Sequence, residues 1–236
     1  MHTGTKRASI LAICVLALAG CGGQPPPAPS PTTGSPAPTA SASPTITAPS
    51  PSPSPLDAKR LRFALLTLAD LPSGWRKVPP GSESESKIAP ASCRAVMRPQ
   101  NGIPNVTTAT AEFQLGEDGP RLTHTVMSSK DDLGAFVDRL RNALPACRHF
   151  TGLSADGFTT EYETTLLSFP KQGDATLAFR TTGRLQGELS ELPFGGNVVM
   201  VAEGSAMTAL SAAGFDKQAD EVRLEPLLAK ALAKVE

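Results

Sequence analysis

Leu133, Phe136, Val137, Leu140 and Leu144 recur at the i, i+3, i+4, i+7, i+11 spacing of one helix face. Ser129 stands where it can cap that helix, Asp131 and Asp132 favour its first turn, and Pro145 stops it. An earlier stripe, Leu61, Leu65 and Leu68, follows Asp57 as N-cap and ends before the breaker Leu71-Pro72-Ser73-Gly74. A short helical piece is expected around Cys93 to Arg98. The chain closes on a third stripe, Leu224, Leu227, Leu228, Ala231 and Leu232, with Pro226 in its first turn.

Between these stripes the period changes to two. Ala111, Phe113 and Leu115 alternate with Glu112 and Gln114, and Leu122, His124 and Val126 alternate with Thr123 and Thr125. Gly116-Glu117-Asp118-Gly119 between them is a hairpin turn. Four more strands are expected: Thr159 to Phe169, Ala175 to Arg184, Asn197 to Glu203, and Ala206 to Ala212. Val198 to Ala202 is apolar throughout, which places that strand centrally. The order α-ββ-α-ββββ-α reads as α+β, a twisted and mostly antiparallel sheet of about six strands with helices packed on one face.

The N-terminus has a different pattern. Lys6 and Arg7 precede the apolar run Ile10 to Ala19, ten residues that span about 15 Å as a helix, half a bilayer core. That length suits a signal sequence and is too short for a permanent span. Leu18-Ala19-Gly20-Cys21 follows at once and resembles the lipobox of bacterial lipoproteins. The resemblance implies cleavage after Gly20 and diacylglyceryl transfer to the Cys21 thiol, so residues 1–20 are a lipoprotein signal peptide. Two acyl chains hold a protein at a bilayer where one does not. The expected location is therefore the outer face of the cell membrane, with the membrane as first partner.

Composition then separates the chain into parts. Of its 23 prolines, 12 fall between Gly22 and Pro55, a stretch with no Asp, Glu, Lys or Arg. Such a segment cannot bury enough apolar surface to offset its ordering entropy. Residues 21–56 read as the lipidated Cys and a disordered Pro/Ser/Thr tether, reaching about 100 Å in the polyproline conformation. Residues 57–236 form the folded domain, with 20 Lys and Arg against 22 Asp and Glu and no basic cluster. That balance, with one Trp and one Tyr, argues against nucleic acid as a partner.

Candidate chemistry is sparse. Cys93 and Cys147 remain after the signal peptide and Cys21 are set aside. An exported setting and an even count point to a disulfide between them. The rival readings are two buried thiols or a metal site, the latter poorly supplied with ligands. His124 lies on the apolar phase of its strand, His149 follows Cys147-Arg148, and Glu161 and Glu163 share a strand face. No G-x-S-x-G, H-E-x-x-H, P-loop or G-x-G-x-x-G occurs. No catalytic residue, cofactor or metal is assigned, and the expectation is a protein that is not an enzyme.

Ala64-Leu65-Leu66-Thr67-Leu68-Ala69-Asp70-Leu71-Pro72-Ser73-Gly74-Trp75 resembles the opening of actinobacterial sensor-like lipoproteins. These are similar to the extracellular sensor domain of the mycobacterial serine/threonine kinase PknH. Ser92-Cys93, Pro145-Ala146-Cys147 after an amphipathic helix, and the closing strand pair with its helix fit the same layout. The resemblance implies a twisted antiparallel sheet, a surface cleft and ligand sensing, and supplies no catalytic residue. That kinase domain has two disulfides where this chain can form one. The expected function is binding or sensing of a small apolar, amphipathic or cell-envelope ligand, with Trp75 and His124 near the cleft. The alternative is an interaction lipoprotein that docks a membrane or cell-wall partner protein.

Overall fold

A computed structural model describes residues 54–81, 87–154, 157–186 and 193–235. The signal peptide, Cys21 and the tether up to residue 53 lie outside the described residues. The elements run in the order α1 (Ala58–Phe63), β1 (Trp75–Val78), β2 (Lys87–Ala89), α2 (Arg94–Met97), β3 (Thr107–Leu115), β4 (Arg121–Ser128) and α3 (Leu133–Ala143). They continue through β5 (His149–Leu153), β6 (Thr159–Leu166), β7 (Ala175–Leu185), β8 (Phe194–Glu203), β9 (Ala206–Phe215), α4 (Gln218–Glu221) and α5 (Leu224–Leu232).

The strands form one antiparallel sheet in the order β1-β3-β4-β9-β8-β7-β6-β5-β2. The α+β class and the β3–β4 hairpin agree with the sequence pattern. Nine described strands replace the expected six. The three additional strands, β1, β2 and β5, have three to five residues each. Runs that short show at most two alternations, a weak signal that pairing with a longer neighbour makes plain.

The expectation of helices on one face is also corrected. On one face α3 lays Leu133, Phe136, Val137 and Leu140 over Leu177, Met200, Ala202 and Met207. On the other, α5 packs Leu224, Leu227, Leu228 and Ala231 against Phe113, Leu122, Val199, Val201 and Leu210. Leu61 of α1 joins Ala109 and Val126 on that second face. The physical reason lies in β8, where Met200 and Ala202 point one way and Val199 and Val201 the other. A strand apolar on both sides needs cover on both sides.

Helix ends follow from specific hydrogen bonds. Asp57 caps α1 as expected, its carboxylate accepting from the N–H groups of Lys59 and Arg60 at 2.9 and 2.8 Å. The helix stops at Phe63, short of Leu68, because the Leu66 N–H donates to Nδ1 of His124. Asp132, not Ser129, caps α3, accepting from the Ala135 N–H at 2.8 Å. Ser129 instead accepts from the Asp131 N–H one turn earlier, at 3.1 Å.

The entry of the chain is clasped to one end of the β4–β9 pair. The Ser205 hydroxyl donates to the Ser54 carbonyl at 3.0 Å, and the Leu56 N–H donates to Ser128 Oγ at 2.9 Å. Ser128 in turn donates to the Ser205 carbonyl at 2.6 Å.

Candidate functional site

The α3 face of the sheet is only partly covered by that helix. Where α3 ends, side chains from β4, β9, β8 and β7 form the floor of a cavity of about 320 Å³. Its roof is α2 with the turn Pro99–Gly102, which contributes Val96, Met97 and Pro99. This volume lies at the small end of the range for small-molecule sites, about 300–1,000 Å³.

Strand register explains the hollow. Reading across the sheet, Thr125 pairs with Ala209 and Ala209 with Met200. Thr123 pairs with Ser211 and Ser211 with Val198, while Ala213 pairs with Gly196. Along β9 the residues facing the cavity are therefore Ala209, Ser211 and Ala213, too small to fill the space beneath the roof. Met127 and Met200 close the deep end against α3.

Aromatic rings close the other end. Phe150 and Tyr162 stack with centroids 4.9 Å apart, and Tyr162 meets Phe194 edge-on at 5.9 Å. Phe194 can lie flat across β7 only because residue 183 is glycine. A Cβ there would come within 2.3 Å of the Phe194 ring. Glycine in a strand interior commonly marks such a close approach.

The roof is held at both ends. Cys93, immediately before α2, is joined by a disulfide to Cys147, and both residues are buried. This pairing removes the alternatives of free thiols and a metal site. Beyond the roof, the Ser129 hydroxyl donates to the Pro104 carbonyl at 3.2 Å, and Ile103 is buried in the α3 core.

The electrostatics are simple. Among the described residues lining the cavity none is Asp, Glu, Lys, Arg or His. Its one titratable group is Tyr162, whose phenol is pushed up by burial and stays neutral. The other polar side chains lining it are the hydroxyls of Thr123, Thr125, Thr181 and Ser211 and the amide of Gln100. Such a surface offers apolar contact and neutral hydrogen bonds. The nearest acid is Glu112, the β3 partner of Thr123, whose carboxylate is outside the lining and engaged with Arg121 and the Gly81 N–H. No group of three His, Cys, Asp or Glu residues able to hold a metal occurs among the described residues.

The two residues expected near a cleft are elsewhere. His124 is fully buried and Trp75 half-buried, both toward the α1 and α5 face, opposite the cavity. His124 shares its strand phase with Leu122 and Val126, which belong to the cores on that face. Its Nδ1 accepts from Leu66, Nε2 has no partner among the described residues, and burial, with Lys234 nearby, lowers its pKa to about 4. It is a core histidine. The cavity instead takes the other phase of β4: Thr123, Thr125 and Met127. Glu161 and Glu163 lie on the sheet face opposite Tyr162, bound to Gln186 and Arg148 respectively.

The cavity residues did leave traces in the sequence. Gly195-Gly196 opens β8, and Ala209, Ser211 and Ala213 recur along β9. Small residues at alternate strand positions mark a face with room above it, but only pairing shows that the two strands are neighbours.

No family model matches this chain, and no curated protein matches it. Solved structures do. The chain is similar to the extracellular domain of PknH from Mycobacterium tuberculosis, with a TM-score of 0.56 at 15% identity, covering 77% of this chain and 97% of that one. It is also similar to an uncharacterized protein from Mycobacterium smegmatis, with a TM-score of 0.44 at 15% identity, covering 76% of this chain and 96% of that one. No helix among the described residues is long and apolar enough to cross a membrane. The segment Ala64 to Trp75, the paired cysteines and the closing strand pair with its helix thus belong to a domain with the fold of the PknH extracellular domain.

Proposed function

We propose that this protein is an extracytoplasmic lipoprotein, anchored at the outer face of the cell membrane through acylated Cys21. Its domain 57–236 takes up a small apolar or amphipathic ligand and acts as a binding or sensing module, not as an enzyme. The observation that supports this reading best is the uncharged cavity of about 320 Å³ between the sheet and α2. Apolar surface withdrawn from water contributes about 25 cal/mol per Å². A cavity lined by Met, Phe and Val with a few hydroxyls therefore binds a molecule of matching character.

The rest of the architecture agrees. The fold is shared with a domain that is extracellular in another protein. The clasp of Ser54 and Leu56 ties the incoming chain to the β4–β9 end where Ser128 and Ser205 sit. The aromatic end of the cavity, at Phe194, lies toward the opposite end of those strands.

Two measurements test this reading. Native mass spectrometry of the full chain bearing Cys21→Ala should show a retained small molecule that denaturation releases. Consistently empty protein that binds no apolar probe, yet recovers one stoichiometric membrane protein, would favour the interaction reading instead. Growth with an alkyne-tagged fatty acid should label the native chain and leave Cys21→Ala unlabelled.

A further inference from the structure

We propose that the cavity selects an amphiphile whose polar end is uncharged, a hydroxyl or carbonyl group held by Thr123 and Ser211. This rests on the reading of the cavity as a ligand site and names the chemistry of its occupant.

Thr123 and Ser211 are direct cross-strand partners at the centre of the floor, so their side chains stand side by side. Both are half-buried. Among the described residues neither hydroxyl has a hydrogen-bond partner. The other two threonine hydroxyls are already engaged: Thr125 with Thr110 at 3.2 Å and Thr181 with Thr164 at 3.3 Å. Each free hydroxyl offers one donor and two acceptor lone pairs. Together they suit a single ligand oxygen, accepting its proton or donating to its lone pairs.

Charge argues against an ionised head. Removing a carboxylate, phosphate or ammonium from water is costly unless a counter-charge meets it. None lines the cavity. The nearest cation by register is Arg121, two positions before Thr123 at the rim beyond Ala213 and Phe194. Its guanidinium lies 3.7 Å from the carboxylate of Glu112, the β3 partner of Thr123, which also accepts from the Gly81 N–H at 3.1 Å and so is already engaged, and Asp118 lines the same rim. Among the described residues lining it, this rim carries no uncompensated positive charge for an anionic head. The methionines and Phe179 around the pair accept an apolar chain instead.

The test uses the full chain bearing Cys21→Ser, so that no attached acyl chain competes for the cavity. Nile red, a neutral apolar dye, reports occupancy, and 1-dodecanol, dodecanoate and dodecylammonium compete with it at pH 8. Dodecanol should displace the dye at a concentration at least about tenfold lower than either charged analogue. Thr123→Val with Ser211→Ala should weaken dodecanol, corrected for the variant's own dye affinity, about tenfold and leave the unfolding midpoint near that of the parent. Thr123→Ser, which keeps the hydroxyl, should retain dodecanol binding. Equal or better displacement by dodecanoate would overturn the neutral-head assignment, and an unchanged dodecanol affinity in the double variant would overturn the role of the hydroxyl pair. A chain that binds neither Nile red nor dodecanol would remove the cavity as a ligand site altogether, a result distinguishable from both.

Discussion

The Leu66 N–H donates to Nδ1 of His124 at 2.9 Å across 58 residues of sequence. This one bond diverts the backbone from continuing α1 and makes Nδ1 an acceptor. The proton of the neutral ring is therefore on Nε2, which is buried without a partner among the described residues. A second proton on the ring would turn Nδ1 toward a donor as a donor itself, inside a core that contains no solvent-exposed imidazole surface.

Acid should therefore destabilise the fold in a defined window. His124 has its folded pKa lowered by burial to about 4, below its unfolded value of about 6.5. Its contribution is full above pH 6.5 and is lost as pH falls toward 4, about 3 kcal/mol in total. Asp70 and Asp220 act lower. Burial raises Asp70, but hydrogen bonds from Lys234 and Thr67 outweigh it, and the Asn197 hydrogen bond leads in lowering Asp220. Their contributions fade only as pH falls below the usual carboxylate range. Urea unfolding of the parent and His124→Gln should show the parent losing stability between pH 7 and 4, with a shallower slope in the variant. Parallel slopes would remove His124 as the cause.

Breaking the disulfide should loosen the roof before the sheet. Cys93 and Cys147 are 54 residues apart, and closing such a loop stabilises a fold by about 2–4 kcal/mol. Cys93→Ser with Cys147→Ser should lower stability by that order and weaken Nile red binding, because α2 loses its anchor. Thiol titration of the unfolded parent should reveal the pair only after reduction. Equal counts with and without reductant would refute the bond.

Gly183→Ala is a small change with a directed effect. Its methyl must displace the Phe194 ring, which closes one end of the cavity and meets Tyr162 edge-on. Overpacking of this kind costs about 1–3 kcal/mol. Both the unfolding midpoint and dye affinity should fall, whereas Gly195→Ala, whose Cβ meets nothing closer than 3.7 Å, should change the midpoint far less. Equal effects from the two would contradict the close-approach account.

Ala209→Phe should fill the floor. The ring would enter the space between Thr125 and Met200, its cross-strand neighbours, instead of a packed core. Stability is expected to stay within about 1 kcal/mol, since the added surface finds room. Nile red binding should fall by more than tenfold, measured by fluorescence titration. Undiminished binding would place the dye elsewhere.

The elements with long periodic patterns were legible one residue at a time. The α3 stripe, the Asp57 cap and the hairpin around Gly116 to Gly119 stand as the pattern implies, and the α5 stripe forms its helix with Pro226 in the first turn. The site was not legible in the same way. His124 and Trp75 drew attention because they are rare and chemically rich, but the cavity is built from threonine, alanine, glycine and methionine, whose types announce no chemistry.

By itself the sequence determined what depends on neighbours along the chain: which stretches are helical, where the hairpin turns, which strand is apolar on both sides, and which two cysteines can pair in the domain. Those follow from local dihedral preferences, caps and periodicity. Tertiary structure alone decided which face each helix covers, that β9 lies between β4 and β8, and that Thr123 stands beside Ser211. The reason is that a strand carries two faces with equal periodicity. Only the partners it meets across the sheet decide which phase is sealed as core and which is left open as a cavity.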